Sequence, residues 1–425
     1  MRALSAAWQP LRYHRVQSQL WQSKCRFAVV AAGRGSGKTE LALRRLAMCA
    51  RVNKGRYFYG GPTIQQAKSV AWGRLLELIP PQWVASNGIN NSELRITTIF
   101  GSEIRVVGMD KPHRVEGVQY NGGVLDEGAD LRPGTFAKSI YPALAHHRGW
   151  CWRIGVPKRT GIGVREYKQF FDKGLLGDPE LKSFTWESAD ILSEDIIEQA
   201  KSMLDEVTFN EQFKATWESS AGGIYHAFSD KFNVRECGYH KHFPICVGSD
   251  FNVDPMAWTL GHAYDSHFEV FDKIYLRNTN TPATLTHLYE KYADHNAGWK
   301  FYGDAAGRNR STTAARSDYQ IIAGDTRFKD KSILYPKANP ARKDRFAAVN
   351  GMFKNALGER RLFIDPSCEE LIGDISSRAY KEGTTDPDDF ADSGHLCDSL
   401  DYIIYARYPI GWDHLLGQTP QVSIN

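Results

Sequence analysis

Short apolar runs, each only long enough for one buried strand, dominate the pattern along this 425-residue chain. Arg26-Phe27-Ala28-Val29-Val30-Ala31 is apolar at consecutive positions, as a strand covered on both faces of a parallel sheet must be. It enters a glycine-rich turn, and a helical pattern follows from Glu40 to about Cys49. Gly123-Val124-Leu125 and Trp152-Arg153-Ile154-Gly155-Val156 read as further core strands, so strand and helix alternate through the first half. Later the order changes. Residues 245–251, 256–262 and 267–275 read as three strands in succession, with a tight Tyr264-Asp265-Ser266 turn before the third. A helix is predicted over 282–295, a fourth strand over 299–304, and a closing helix that Ser393 caps and that runs to about Tyr405. The best division is Glu218-Ser219-Ser220-Ala221-Gly222-Gly223, giving domains 1–220 and 244–425 joined by a linker, 221–243.

Composition narrows the class without naming a function. No apolar run is long enough to cross a bilayer, and residues 1–13 lack the apolar core of a signal peptide. Seven cysteines stand far apart with no CxxC pair, a pattern that fits a reducing compartment and argues against a zinc site or a disulfide framework. A net charge of +4 permits nucleic acid without arguing for it.

Candidate chemistry sits at the strand ends. Gly33-Arg34-Gly35-Ser36-Gly37-Lys38-Thr39 lies between the first strand and its helix, the context a Walker A phosphate loop requires. Glycines let successive backbone N–H groups curl around phosphate oxygens, and the helix N-terminus adds partial positive charge. Lys38 would reach the β- and γ-phosphates of ATP, and the Thr39 hydroxyl would ligate Mg²⁺. Ala32 stands where the strict pattern has glycine. In Asp126-Glu127, at the end of a later strand, Asp126 would hold the same ion and Glu127 would polarise the attacking water. An Asp-Glu pair alone is usually a solvated turn; the upstream phosphate loop changes that weighting. Tyr13 and Gln17 are placed to receive the adenine ring and its edge.

In the second half, acids end the first and fourth strands at Asp250 and Asp304, and Asp398 lies on the first turn of the closing helix. Three strands, helix, strand in that order is the plan of a ribonuclease H-like fold. Carboxylates gathered this way need cations between them. Oxygen-only ligands suit two Mg²⁺ or Mn²⁺ ions that clamp the attacking and leaving oxygens of a phosphodiester. Singly, each Asp is more often a strand-end turn residue. His395 and Asp401 neighbour Asp398 on the helix, His395 either as a surface residue or as a helper at the metal site; Asp386-Pro387-Asp388-Asp389 reads as a solvated loop.

Across nearly its full length the chain resembles the large terminase subunits of tailed bacteriophages. The resemblance is carried by the phosphate loop with its extra Arg34, by Tyr59-Gly60-Gly61-Pro62-Thr63, by Asp126-Glu127, by Gly155-Val156-Pro157-Lys158 (similar to the coupling motif) and by His395 to Tyr402. It implies an N-terminal P-loop ATPase with a mostly parallel sheet and a C-terminal ribonuclease H-like nuclease. That motor drives double-stranded DNA into a procapsid and cuts the concatemer. It further implies work at a portal ring in the host cytoplasm, a small-subunit partner, a homo-oligomeric ring, and Arg114 as a trans-acting arginine finger, with Arg132 a competitor. Departures are Val156, where the coupling motif commonly has Ser or Thr, and Asp401, where Arg is usual. Three rivals predict different chemistry: a helicase-like motor, which would not cleave; a particle scaffold, which would not turn over nucleotide; and a stand-alone nuclease with a regulatory nucleotide site.

Overall fold

The computed structural model describes residues 14–159, 161–217, 223–252, 254–308, 316–381, 386–388, 394–409 and 423–424. The chain forms two compact units, one of residues 1–197 with 210–220 and one of residues 198–209 with 221–425.

The first unit is built on eight strands: β1 (Phe27–Ala32), β2 (Arg56–Gly61), β3 (Val84–Asn90), β4 (Arg95–Thr98), β5 (Glu103–Gly108), β6 (Gly122–Leu125), β7 (Trp150–Gly155) and β8 (Leu181–Trp186). Their order is β3-β4-β5-β2-β6-β7-β1-β8. From β5 to β8 every neighbouring pair is parallel, and β3 and β4 add an antiparallel edge. Parallel pairing brings the C-terminal ends of β1, β2, β6 and β7 to one edge, where ligands of open α/β sheets bind. Burial on both faces explains the composition: Ala28 to Ala32 are all inaccessible to solvent or nearly so. Each buried valine there contributes about 1.5–3 kcal/mol. The helix after the phosphate loop runs Lys38–Val52, two residues earlier and three later than the apolar pattern alone suggests.

The second unit holds β9 (Ile245–Asp250), β10 (Met256–Ala263), β11 (Phe268–Leu276), β12 (Trp299–Gly303), β13 (Lys331–Tyr335), β14 (Leu362–Ile364) and β15 (Ser423–Ile424), ordered β14-β11-β10-β9-β12-β13-β15. Strands β9 to β11 form the antiparallel meander, and β12 then joins β9 in parallel. The closing helix, His395–Arg407, packs on β9 so closely that a side chain at Gly248 would strike the Ser399 carbonyl. Its N-cap is Gly394, with φ of 86°; Ser393 lies outside the described residues.

Residues 221–243 do not behave as a free connection where they are described. Ile224 and Tyr225 are buried in the second unit's core among Phe346, Val349 and Phe353, because an apolar pair that follows two glycines still has surface to bury. Asn233 is fully buried and its amide donates to the Phe353 and Leu362 carbonyls.

Asp205 is a second anchor of this unit. Its buried carboxylate accepts from the Thr208 N–H at 2.9 Å and from His226 Nε2 at 2.8 Å. Burial works against its ionised form, but the His226 and Thr208 contacts outweigh it and hold the carboxyl below the usual range. The folded state therefore gains stability that is complete above about pH 4 and is lost as pH falls through the depressed value. Asp205→Ala is expected to lower stability by about 2 kcal/mol near neutral pH. Thermal unfolding against pH checks this: the difference between variant and wild type should shrink below pH 4.

Candidate functional site

In the first unit the phosphate loop is fastened from behind by residues far away in sequence. The Gly33 N–H donates to the Trp186 carbonyl at 3.0 Å, and the Arg34 N–H donates to the Gln212 carbonyl at 2.6 Å. The Ser36 carbonyl accepts from Trp186 Nε1 and from the Gln17 amide, both at 3.0 Å. Ser188 Oγ donates to the Arg34 carbonyl at 2.6 Å. Gly35 and Gly37 turn the loop at φ of 69° and 76°. Gln17 is thus buried against the loop it braces through its amide nitrogen; Tyr13 lies outside the described residues. Sequence reading missed Trp186, Ser188 and Gln212, because nothing local marks a residue whose role is to hold a loop more than a hundred positions away.

Around this loop the charged groups converge. Lys38 is buried, and its ammonium donates to the Gly33 carbonyl at 3.2 Å. Burial pushes its pKa down against the pull of Glu127 and Asp126. Thr39 Oγ1 donates to Asp126 Oδ2 at 3.0 Å, and Tyr59 OH donates to the same oxygen at 2.5 Å. The Glu127 N–H reaches Asp126 Oδ1 at 2.8 Å. Burial, then the Glu127 charge, raises the Asp126 pKa. A hydroxyl beside a buried carboxylate is an all-oxygen donor set, the kind that Mg²⁺ takes. Glu127 follows in the left-handed region, φ 51° and ψ 53°, and meets Lys158 Nζ at 2.9 Å. Burial disfavours its charge, yet Lys158 and then Lys38 hold its carboxyl at about 2. Lys158 also donates to Asp130 Oδ2 at 2.6 Å. Arg34, Arg114 and Arg132 are exposed.

In the second unit Ser249 of β9 is in register with Gly303 of β12, so Asp250 and Asp304 occupy the next pair of positions. Asp250 Oδ2 accepts from His395 Nδ1 at 2.8 Å and from the Asn252 amide at 3.2 Å. Burial raises the pKa of both acids, and Asp250 further raises that of Asp304. The His395 pKa is raised, first by its bond to Asp250. Asp398 is differently occupied. It accepts from Arg345 at 3.3 Å and from Arg378 through two contacts at 3.4 Å. Asp401 is fully buried, accepts from Tyr225 OH at 2.9 Å, and burial lifts its pKa to about 7. It faces the interior with Arg345, which it shares with Asp398, 3.8 Å away, so it is not a surface residue. Asp386 and Asp388 are exposed, as a solvated loop should be. Among the described residues no three His, Cys, Asp or Glu side chains are arranged to hold a metal ion. Asp250 and Asp304 come together, and Asp398 is drawn to two guanidinium groups. Both arginines went unread in the sequence, since a lone Arg on a helix gives no sign of the acid it will meet.

No family model matches the chain. It is 23% identical over 288 residues to the large terminase subunit of Thermus virus P23-45, covering 56% of this chain and 57% of that protein. The large terminase subunit of Thermus phage G20c matches with the same identity and coverage. The chain thus spans little more than half the length of the curated relatives it matches. Among solved structures it is similar to the large terminase of a thermophilic bacteriophage, with a TM-score of 0.63 and 15% identity, over 93% of this chain and 99% of that one. The same phage enzyme in complex with ATP-gamma-S gives a TM-score of 0.61 at 16% identity, over 92% and 98%. The shared fold is a P-loop unit and a ribonuclease H-like unit. No helix among the described residues is long and apolar enough to cross a membrane.

Gly33 gives a direct test of the loop. A side chain there would meet the Ser188 nitrogen at 2.6 Å and the Phe213 oxygen at 2.7 Å, both backbone atoms with little room to yield. Gly33→Ala is expected to weaken nucleotide binding about 5- to 150-fold, as strain of about 1–3 kcal/mol implies. Titration with a fluorescent ATP analogue measures it, and affinity within twofold of wild type would overturn this account of the loop.

Proposed function

We propose that this chain is a terminase large subunit, an ATP-hydrolysing motor and DNA endonuclease that packages a viral genome. The observation that carries the reading is the Lys38, Thr39, Asp126 and Glu127 constellation at the C-terminal edge of a parallel sheet. The same chain sets Asp250 and Asp304 side by side on a ribonuclease H-like sheet.

Gly33 to Gly37 would wrap the phosphates of ATP with backbone N–H groups, and Lys38 would neutralise their charge. Thr39 and Asp126 would hold Mg²⁺, which when bound offsets the charge that develops on the phosphates. Glu127 would orient the attacking water and accept its proton. Exposed Arg114, without a partner among the described residues, suits an arginine finger offered to the next subunit of a ring. In the second unit Asp250 and Asp304 would hold Mg²⁺ or Mn²⁺, with Asp398 as the third carboxylate once it parts from Arg345 and Arg378. A bound cation there polarises the scissile phosphate. His395 orients Asp250. Double-stranded DNA would lie along exposed Arg308, Lys337 and Lys343. Segment 337–339 is tied to the turn after Asp304, because Arg308 donates to the Lys337 carbonyl at 2.5 Å and the Ala305 N–H donates to Asn339 at 2.6 Å. The portal ring and a small subunit complete the proposed partners.

Glu127→Gln is expected to lower ATP turnover about a hundredfold or more while nucleotide still binds; turnover at the wild-type rate would remove Glu127 as the base. Plasmid cleavage in Mg²⁺ or Mn²⁺ should disappear in Asp250→Ala, and cutting that persists would place the nuclease site elsewhere. Replacing Lys337 and Lys343 together by alanine should weaken duplex binding about equally for all sequences. It should also flatten the salt dependence of log K by about two in slope, as loss of two phosphate contacts requires.

A further inference from the structure

Lys158 stands where β7 ends, behind buried Val156 and Pro157 that fix its backbone. Its side chain is only 18% exposed, and its ammonium is shared between Glu127 at 2.9 Å and Asp130 at 2.6 Å. Glu127 Oε2 is therefore committed to an ammonium. A carboxylate so held is pinned in orientation through Oε2, so its remaining oxygen cannot be aimed freely at an attacking water. The Glu127 backbone sits at φ 51°, a region a residue with a side chain seldom enters, so its main chain is set and only its side chain is left to turn.

Asp130 makes that turn affordable. Breaking a partly buried ion pair normally strands a charge. Here Lys158 keeps a second carboxylate when Glu127 leaves, so the energy of release is the difference between two partners and not the loss of one.

We propose that Lys158 is a positioning residue that restrains Glu127 in the nucleotide-free protein, and that Asp130 is the acceptor that takes the lysine over when Glu127 turns to its water. This rests on Glu127 being the base, and it adds a resting restraint to that reading. The site would then be idle by default, and turnover would depend on how readily Lys158 passes to Asp130.

The test uses the full chain with ATP and Mg²⁺, and measures kcat and KM separately. Lys158→Met keeps most of the stem's packing and removes the ammonium; it should raise kcat about fivefold and leave KM for ATP within about twofold. Asp130→Asn, nearly isosteric, leaves Lys158 with Glu127 alone and should lower kcat by a similar factor at unchanged KM. The double variant should behave as Lys158→Met, since Asp130 acts only through the lysine. Lys158→Arg, which keeps the ion pair, should stay near wild type. A merely structural lysine would lower kcat on removal, and a phosphate ligand would raise KM; either result overturns the proposal, as does a shift of both single variants in one direction. Should Lys158→Met fail to fold, Asp130→Asn decides by itself: a fall in kcat supports the restraint, and no change or a rise overturns it. Wild-type turnover in Glu127→Gln would sink the base and the restraint together. An inactive Glu127→Gln with no rise in Lys158→Met would sink the restraint alone.

Discussion

Asp126 is a carboxylate taken almost wholly out of water, and a charge so placed must find donors or opposite charge nearby. It finds Tyr59 OH, Thr39 Oγ1 and the Glu127 N–H. Those three contacts join the ends of β2 and β6 to the first turn of the phosphate-loop helix, so the neutralisation of one buried acid also fixes the geometry of the loop. The second unit meets the same constraint with other groups. Arg345 and Arg378 answer Asp398, Tyr225 caps Asp401, and His395 answers Asp250. Asp304 meets neutral donors, the N–H groups of Gly307 and Ala306 and the Asn339 amide, against the repulsion of Asp250. That imbalance is a physical reason to expect a cation beside it.

Much of this was legible in the sequence, and the reason is period and punctuation. Continuous apolar runs such as Ala28 to Ala32 announce a strand covered on both faces, and the glycines after them announce the turn. The pairing of Asp250 with Asp304 followed from strand order, because acids at the ends of adjacent parallel strands must lie next to each other. What stayed hidden was side-chain partnership at long range. Gln17 reads as an adenine contact, and the support its amide nitrogen gives Ser36 could not be seen until the loop's position was known. Asp401 shares Arg345 with Asp398, as its helical spacing predicts, but its complete burial one turn further on was not legible. Lys158 appeared only as part of a motif, with no hint that two acids compete for it.

The two units also differ in how their candidate acids are restrained. Glu127 is held by one cation with a ready alternative, in a region where little must move. Asp398 is held by two guanidinium groups, each also packed against an aromatic ring, Arg345 over Tyr402 at 4.5 Å and Arg378 over Phe346 at 5.7 Å. Freeing it would disturb several contacts at once. By this measure the first site is the easier of the two to set in motion.

Residues 198–209 belong to the second unit although 210–220 return to the first. A gene cut at the apparent seam near residue 220 would therefore not yield two whole modules. The downstream fragment would lack Asp205 and leave His226 without its carboxylate, and the Ser202 carbonyl that receives Asn355 and Arg361 would be gone as well. Exchange of the two units between related chains by simple recombination is thus restricted. The inherited piece that carries the second unit intact must begin upstream of residue 198, inside what looks from the sequence like the other domain.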